Sequence, residues 1–400
     1  MYETPITGLV LSGGGARAAY QVGVLRAIVR LRHGTAASPR RCPFGVICGT
    51  SAGAINAAAL ACNADQFDSA VEGIAQVWEN FRAEQVFRAD SLGVIRSGAQ
   101  WLTMLSIGWL LVRWRKARPR SLLDNSPLGE LLEHLVPLHR LPRMLSGRHV
   151  QALALSASNY SSGEHVSFYQ AAAPVPAWVR SQRVAAAAEL SVAHLLASSA
   201  IPFVFPAVQL PFETGHPWFG DGSMRQTAPL SPAIHLGAQR LLIIGAGRMQ
   251  EPAGQRAPDS GYPSLAQVAG HTLSGIFLDA LTADVERLQR INRTLALLDD
   301  EARLATPLRQ IDALVIAPSQ RLDQIAAKHV DELPVAVRAL LRGAGVSGRG
   351  RSAQGAALAS YLLFEAGYTR ELMALGEADV AARRDEVLGF FGWPAAVAAA

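Results

Sequence analysis

Ser51 stands at the centre of Gly49-Thr50-Ser51-Ala52-Gly53, a G-x-S-x-G pentapeptide. An apolar, strand-like run (FGVICG, 44–49) precedes it, and an alanine-rich run with helical spacing (AINAAALAC, 54–62) follows. Between a strand and a helix, this pattern marks a sharp turn that lifts a serine hydroxyl out of a sheet. Small residues on both sides keep that turn from colliding with its neighbour. A helix starting just after the serine points its free N–H groups and the positive end of its dipole at the hydroxyl. The chemistry implied is nucleophilic attack on a carbonyl, with a negative oxygen developing beside the helix end. The pentapeptide alone also arises by chance, so donors for that oxygen and a base for the serine proton must be found elsewhere.

Gly13, Gly14 and Gly15, in LVLSGGGARAAY, offer the donors. Gly13-x-Gly15-x-x-Ala18 also fits the dinucleotide fingerprint, which needs an acidic residue about 20 positions on. The chain has no Asp or Glu between Glu3 and Asp65, and no lysine follows the glycines as a nucleotide phosphate loop requires. An oxyanion hole fits better, because adjacent glycines let consecutive backbone N–H groups converge on one spot. A glycine-rich tight turn is the plain structural alternative. For the base, a histidine held by a carboxylate is one solution. None of the ten histidines has a convincing setting: His194 falls in the apolar helix SVAHLLASS, His271 in a helix start, and His329 in a charged helix. Asp221, in WFGDGSM, follows an aromatic strand end, and a desolvated carboxylate there has a raised pKa and greater basicity. Read alone, Asp-Gly is usually a turn.

The elements that must position these residues follow from periodicity. ITGLVLS (6–12) and FGVICG (44–49) read as strands, each followed by a glycine turn and a helix, 16–32 and 54–62. Two strand-turn-helix units in succession predict an α/β fold with a parallel sheet. Both turns then lie at the carboxyl ends of strands, on one edge. Further strands are expected at 149–158, 164–170, 240–247 and 310–318. SLLDNSPLGELLEHLV starts a helix, with Asn125 or Ser126 as N-cap and Pro127 in the first turn. Residues 248–263 read as a long loop and 342–355 as a connector, and from 264 onward the pattern is mostly helical. Residues 1–255 are read as the catalytic core, and 256–400 as the completion of its sheet followed by a helical region.

Half of the 400 residues are apolar, enough for a large core. The net charge of +5 rests almost wholly on arginine, since Lys116 and Lys328 are the only lysines. This mild basicity permits contact with an anionic membrane without demanding a nucleic-acid partner. Cys42, Cys48 and Cys62 are odd in number and lack paired spacing, so a reducing, cytoplasmic setting without disulfides or a zinc knuckle is expected. No stretch approaches the roughly 20 apolar residues of a spanning helix, and the first residues do not read as a signal peptide. AQWLTMLSIGWLLVRWRKARPR (99–120) is different: Trp101, Trp109 and Trp114 stand beside a basic end that includes Arg113 and Arg115. Tryptophan next to arginine suits a segment lying on a bilayer, so an interfacial helix or lid at the inner membrane face is expected. A core or contact helix with a solvated end is the alternative.

Taken together, GGGARA (13–18), GTSAG (49–53) and DGS (221–223) resemble, in order, the G-G-G-x-R/K-G, G-x-S-x-G and D-G-G/A motifs of the patatin-like phospholipases. SLLDNSPL (121–128) and SSAIPFVFPAV (198–208) look like blocks of bacterial members, and 277–292 is a weaker match. The resemblance covers about residues 6–250. It implies a three-layer α/β/α sandwich with a mostly parallel central sheet and extra C-terminal helices. It also implies acyl hydrolysis of phospholipids or related esters by a Ser-Asp dyad, with no cofactor and no metal. By position, Ser51 is the nucleophile, Asp221 the base, Gly13 to Gly15 the oxyanion donors and Arg17 the support of their loop. Two residues depart from the pattern. Ala18 replaces glycine at a helix start, where it is tolerated, and Ser223 places a hydroxyl near Asp221 that lowers its pKa. A Ser-His-Asp esterase and a catalytically idle lipid-binding scaffold are the competing readings.

Overall fold

The computed structural model describes residues 5–35, 41–88, 121–249, 262–346 and 355–393. The segment 99–120, with Trp101, Trp109, Trp114, Arg113 and Arg115, lies outside the described residues, as do most of 248–263 and 342–355.

Among the described residues, ten strands form one mixed sheet: β1 (Thr7–Leu11), β2 (Val46–Thr50), β3 (Ala152–Asn159), β4 (His165–Ala171), β5 (Val179–Arg180), β6 (Arg183–Ala187), β7 (Val208–Gln209), β8 (Trp218–Asp221), β9 (Arg240–Ile244) and β10 (Asp312–Ile316). The order is β10-β9-β1-β2-β3-β4-β6-β5, with β8 paired to the end of β3 and β7 to β8. From β10 to β3 every pair is parallel. Parallel strands covered on both faces need continuous apolar runs, and every residue of TGLVL and VICGT is buried. Side chains alternate between two cores. Leu9, Leu11 and Ile47 face one helical layer, while Val10, Val46 and Cys48 face the other. Helices on both faces make the three-layer α/β/α sandwich.

The sheet reverses at β4, which pairs antiparallel with β3. The connection from Asn159 to His165 is far too short for the crossover that parallel neighbours need. It closes instead as a hairpin, with Asn159 Oδ1 accepting the Ser161 N–H at 2.8 Å and Gly163 at φ +72.

On the first face lie α1 (Ala19–His33), α2 (Ala52–Cys62), α3 (Phe67–Glu79) and α4 (Ser126–Leu135), the last starting at the expected cap with Pro127 in its first turn. The shorter α5 (Val192–Ser198) packs on β3 and β8. Further along come α6 (Leu265–Ser274) and α7 (Ala280–Ala296), joined by a π-helical turn at Gly275–Asp279, then α8 (Ala356–Leu362) and α9 (Ala366–Ala382). His271 falls in the last turn of α6, not at a helix start, because Ser264 and Gln267 form a capping box that begins the helix earlier. α9 lies along α1 in close contact. A Cβ on Gly376 would strike the backbone of Tyr20 and Val24, and one on Gly23 the backbone of Met373. Tyr20 Oη donates to Asp379 at 2.8 Å, and Arg26 reaches Glu377 at 2.6 Å across the same seam. The C-terminal helices are thus bonded to the first helix of the chain, and β10 extends the sheet beside β9.

Candidate active site

β2 ends at Thr50 and α2 begins at Ala52, so Ser51 is the whole turn between them. Its backbone takes φ 57 and ψ −132, a conformation costing about 1–3 kcal/mol for a residue with a side chain. Neighbouring atoms hold it there. The Ser51 N–H donates to Ser198 Oγ at 3.0 Å, and its carbonyl accepts from Ala54 at 2.8 Å. The flanking glycines are required by close approach. A Cβ on Gly49 would sit 2.6 Å from Ala54 Cα, and one on Gly53 would sit 2.5 Å from the carbonyl oxygens of Leu11 and Ser12. The start of α2 is therefore pressed against the end of β1.

β1 continues into the glycine triplet. A Cβ on Gly13 would lie 3.0 Å from Ser51 Cβ and would strike Ser223 Oγ, so this backbone runs directly against the serine. The N–H groups of Gly13 and Gly14 have no partner among the described residues. Gly15 takes φ +54 with its Cα against the carbonyl of Tyr361 in α8. Arg17 is buried, donates from Nε to Ser360 Oγ at 2.8 Å and stacks over the Tyr361 ring at 4.0 Å. From the other side, Trp78 Nε1 donates to Asn56 Oδ1 at 3.0 Å and Asn56 Nδ2 to Gln21 Oε1 at 3.2 Å. Gln21 Nε2 in turn donates to the Ser12 carbonyl at 2.7 Å. The loop is clamped by α8 and by a buried polar chain through α3, α2 and α1.

Asp221 ends β8, and the register Ala157↔Asp221 brings it to the same edge. Its N–H donates to the Ala200 carbonyl at 3.0 Å, and its Oδ1 accepts the Ser223 N–H at 2.9 Å. Ser51 and Asp221, 170 positions apart in the chain, meet here. Oδ2 finds no donor in full hydrogen-bond geometry among the described residues, and the Ser51 and Ser223 hydroxyls are the side chains near enough to act on it. Complete burial pushes the carboxyl up to about 6, against the opposing pull of the Ser51 hydroxyl and then the Ser223 N–H and hydroxyl. The expected lowering by Ser223 is present, and burial outweighs it.

Ser51 opens into a cavity of about 320 Å³ walled by α2, α3 and α4, with Ile55, Val77, Leu128, Leu132, Ile201 and Phe364 among its apolar sides. Among the described residues, no charged residue and no histidine lines it. His194 faces away: its Nδ1 meets Ser191 Oγ at 2.9 Å and its ring packs edge-on to Phe168, while burial depresses it to about 4. His329 is paired with Glu332 and Glu371.

Five participants escaped the sequence reading. Ser198 lies in SSAIPFVFPAV, whose paired serines were a visible signal. Asn56 and Gln21 are polar residues inside apolar helical runs, which signals a buried partner. Ser360 and Tyr361 carry no local signal at all.

A family model described as patatin-like phospholipase matches residues 9–234, more than half of the chain. No curated protein gives a significant match. Among solved structures, VipD from Legionella pneumophila aligns over 93% of this chain and 67% of its own, at 14% identity and a TM-score of 0.29. Full-length ExoU of the Pseudomonas aeruginosa type III secretion system, solved in complex with SpcU, aligns over 97% and 70%, at 16% identity and a TM-score of 0.26. Alignments this loose assign no residue.

Proposed function

The chain belongs to the patatin-like phospholipase family, and from that premise we propose that it hydrolyses the carboxylic esters of phospholipids or related lipids through an acyl-enzyme on Ser51. Asp221 takes the Ser51 Oγ proton as Oγ attacks the ester carbonyl. The negative oxygen of the tetrahedral intermediate takes hydrogen bonds from the unpartnered N–H groups at Gly13 and Gly14, with Gly15 and Arg17 holding their loop. Collapse expels the alcohol, which recovers the proton from Asp221. Water then gives a proton to Asp221 and attacks the acyl-enzyme, and Ser51 regains its proton as the fatty acid departs.

The observation that carries this reading is the buried carboxylate of Asp221 beside the Ser51 hydroxyl at the mouth of an apolar cavity. A Ser-His-Asp esterase would need an imidazole there, and no described histidine lines that space. An idle scaffold would not keep Ser51 reactive. A fluorophosphonate probe is expected to label Ser51 in the native protein and to lose at least 10³-fold in labelling rate in Asp221→Asn. Full labelling of that variant, or none of the wild type, rejects the mechanism.

Peripheral contact with a membrane is part of the proposal. No helix among the described residues is long and apolar enough to cross one. Residues 99–116 are proposed to make the contact, on their tryptophan and arginine content. Deleting them should abolish hydrolysis of vesicles and spare a dissolved short-chain ester. Equal loss on both substrates counts against the assignment.

A further inference from the structure

A second concavity, about 710 Å³, shares Ser223 with the catalytic centre. Its walls are Ser181, Gln182 and Arg183 around the start of β6, Ser223 to Thr227 after β8, and residues around the π-helical turn between α6 and α7. That turn also reaches the glycine loop: Ile276 lines the basin, and Phe277 packs against Gly13. The basin's character is opposite to that of the apolar cavity. Among the described residues, two arginines and several hydroxyl and amide side chains line it, and no Asp or Glu does.

The arginines are available. The Arg183 side chain has no hydrogen bond or ion pair among the described residues. Arg225 is oriented by the Gly163 carbonyl at 2.8 Å from Nε and by Gln182 Oε1 at 3.2 Å from Nη2, which leaves Nη1 free among the described residues. Asp284 lies within electrostatic reach of Arg183, yet its carboxylate is taken by the Leu230 N–H at 3.0 Å and by Arg287 at 2.7 Å. The positive field extends to His235, whose imidazole is depressed by burial first and then by Arg180, Arg183 and Arg309. The Ser223 hydroxyl is buried where the basin adjoins Asp221, and its pull on that carboxyl is made without full hydrogen-bond geometry among the described residues.

Unpaired guanidinium groups among neutral donors, without a competing carboxylate, recognise an anion with several oxygens. We propose that this basin binds the oxygens of a phosphate group, with Arg183 and Arg225 as its principal donors, whether the phosphate is carried by a lipid headgroup or free. The headgroup source rests on the hydrolase reading above. With the acyl chain in the apolar cavity and the carbonyl at Ser51, the alcohol side of the ester extends past Ser223 into the basin.

The test uses the full chain carrying Ser51→Ala for binding, and the wild-type background for turnover. Inorganic phosphate is titrated by calorimetry into the Ser51→Ala protein, with or without Arg183→Gln and Arg225→Gln. In turnover, kcat/KM on a lysophospholipid is divided by that on the monoacylglycerol of the same acyl chain. The double change is expected to weaken phosphate binding at least tenfold and to lower the substrate ratio at least tenfold. Lysine at both positions should recover part of each. Arg290→Gln with Arg293→Gln, an equal loss of charge on the exposed side of α7, should move neither. A shift in phosphate binding alone assigns the basin to free phosphate, and a shift in both assigns it to the headgroup. No phosphate binding by the parent, or none lost in the double variant, together with an unmoved ratio, overturns the proposal. Thermal midpoints show which variants fold, and the single changes decide if the double does not. Turnover that survives Ser51→Ala would reject the hydrolase reading, while the phosphate titration still judges the basin.

Discussion

At Asp221, function and stability oppose each other. A carboxyl raised to about 6 in the folded state holds its proton longer than in the unfolded chain, so the native state is favoured while the group is protonated. That advantage is present below about pH 4 and is lost as pH rises to about 6, where the buried group must ionise. The shift corresponds to about 3 kcal/mol. Stability measured by denaturant should therefore favour Asp221→Asn over wild type increasingly between pH 4 and 6, by about 3 kcal/mol in all, and then level off. A pH-independent difference would mean that the carboxyl titrates normally. In the proposed mechanism Asp221 must be ionised to act as base, so kcat/KM on a neutral ester should rise through an apparent pKa near 6 and plateau. Ser223→Ala removes one of the groups holding the value down and should move that limb to higher pH. An unmoved limb would show that the Ser223 hydroxyl does not act on Asp221.

At the scale of elements, the site is made by two strand ends and the turns that leave them. This much was readable, because the spacing of Gly49, Ser51 and Gly53 between an apolar strand and an alanine-rich helix has few other solutions. Contact explains the glycine content: α2 touches β1 through Gly53, where a side chain would meet two carbonyls. Gly53→Ala should cost about 1–3 kcal/mol by overpacking. It should also lower kcat more than it raises KM, since Leu11 and Ser12 lead directly into Gly13. An unchanged melting temperature would refute the close approach. The antiparallel return at β4 was implicit in the short connection after Asn159, whereas the short β8 that delivers Asp221 was marked only by its aromatic residues. No periodicity reveals a four-residue strand that pairs with the far end of β3.

For the molecule as a whole, what escaped the sequence is long-range pairing. Arg17 was legible as a loop residue, but its partners Ser360 and Tyr361 lie in the last tenth or so of the chain, in a helix whose pattern says only that it is buried. The Gly23–Gly376 seam is similar, since either glycine alone looks like a helix weakness and only the pair makes sense of both. The seam ties α9 to α1, and Gly15 and Arg17 tie the glycine loop to α8, so these C-terminal helices form a wall beside the candidate site.

That wall sets a birth order for activity. A ribosome delivers the serine turn, the carboxylate and the sheet between them long before it delivers Ser360 and Tyr361, so the nascent chain holds the proposed nucleophile while the glycine loop still lacks its backing. We expect chains released just short of residue 355 to bind hydrophobic dyes and turn over ester hundreds of times more slowly than the finished protein, and to recover when a peptide spanning 355–393 is added. Under the proposed function, activity on lipid would then begin only once residues 355–382 have been made and have packed against the glycine loop and α1.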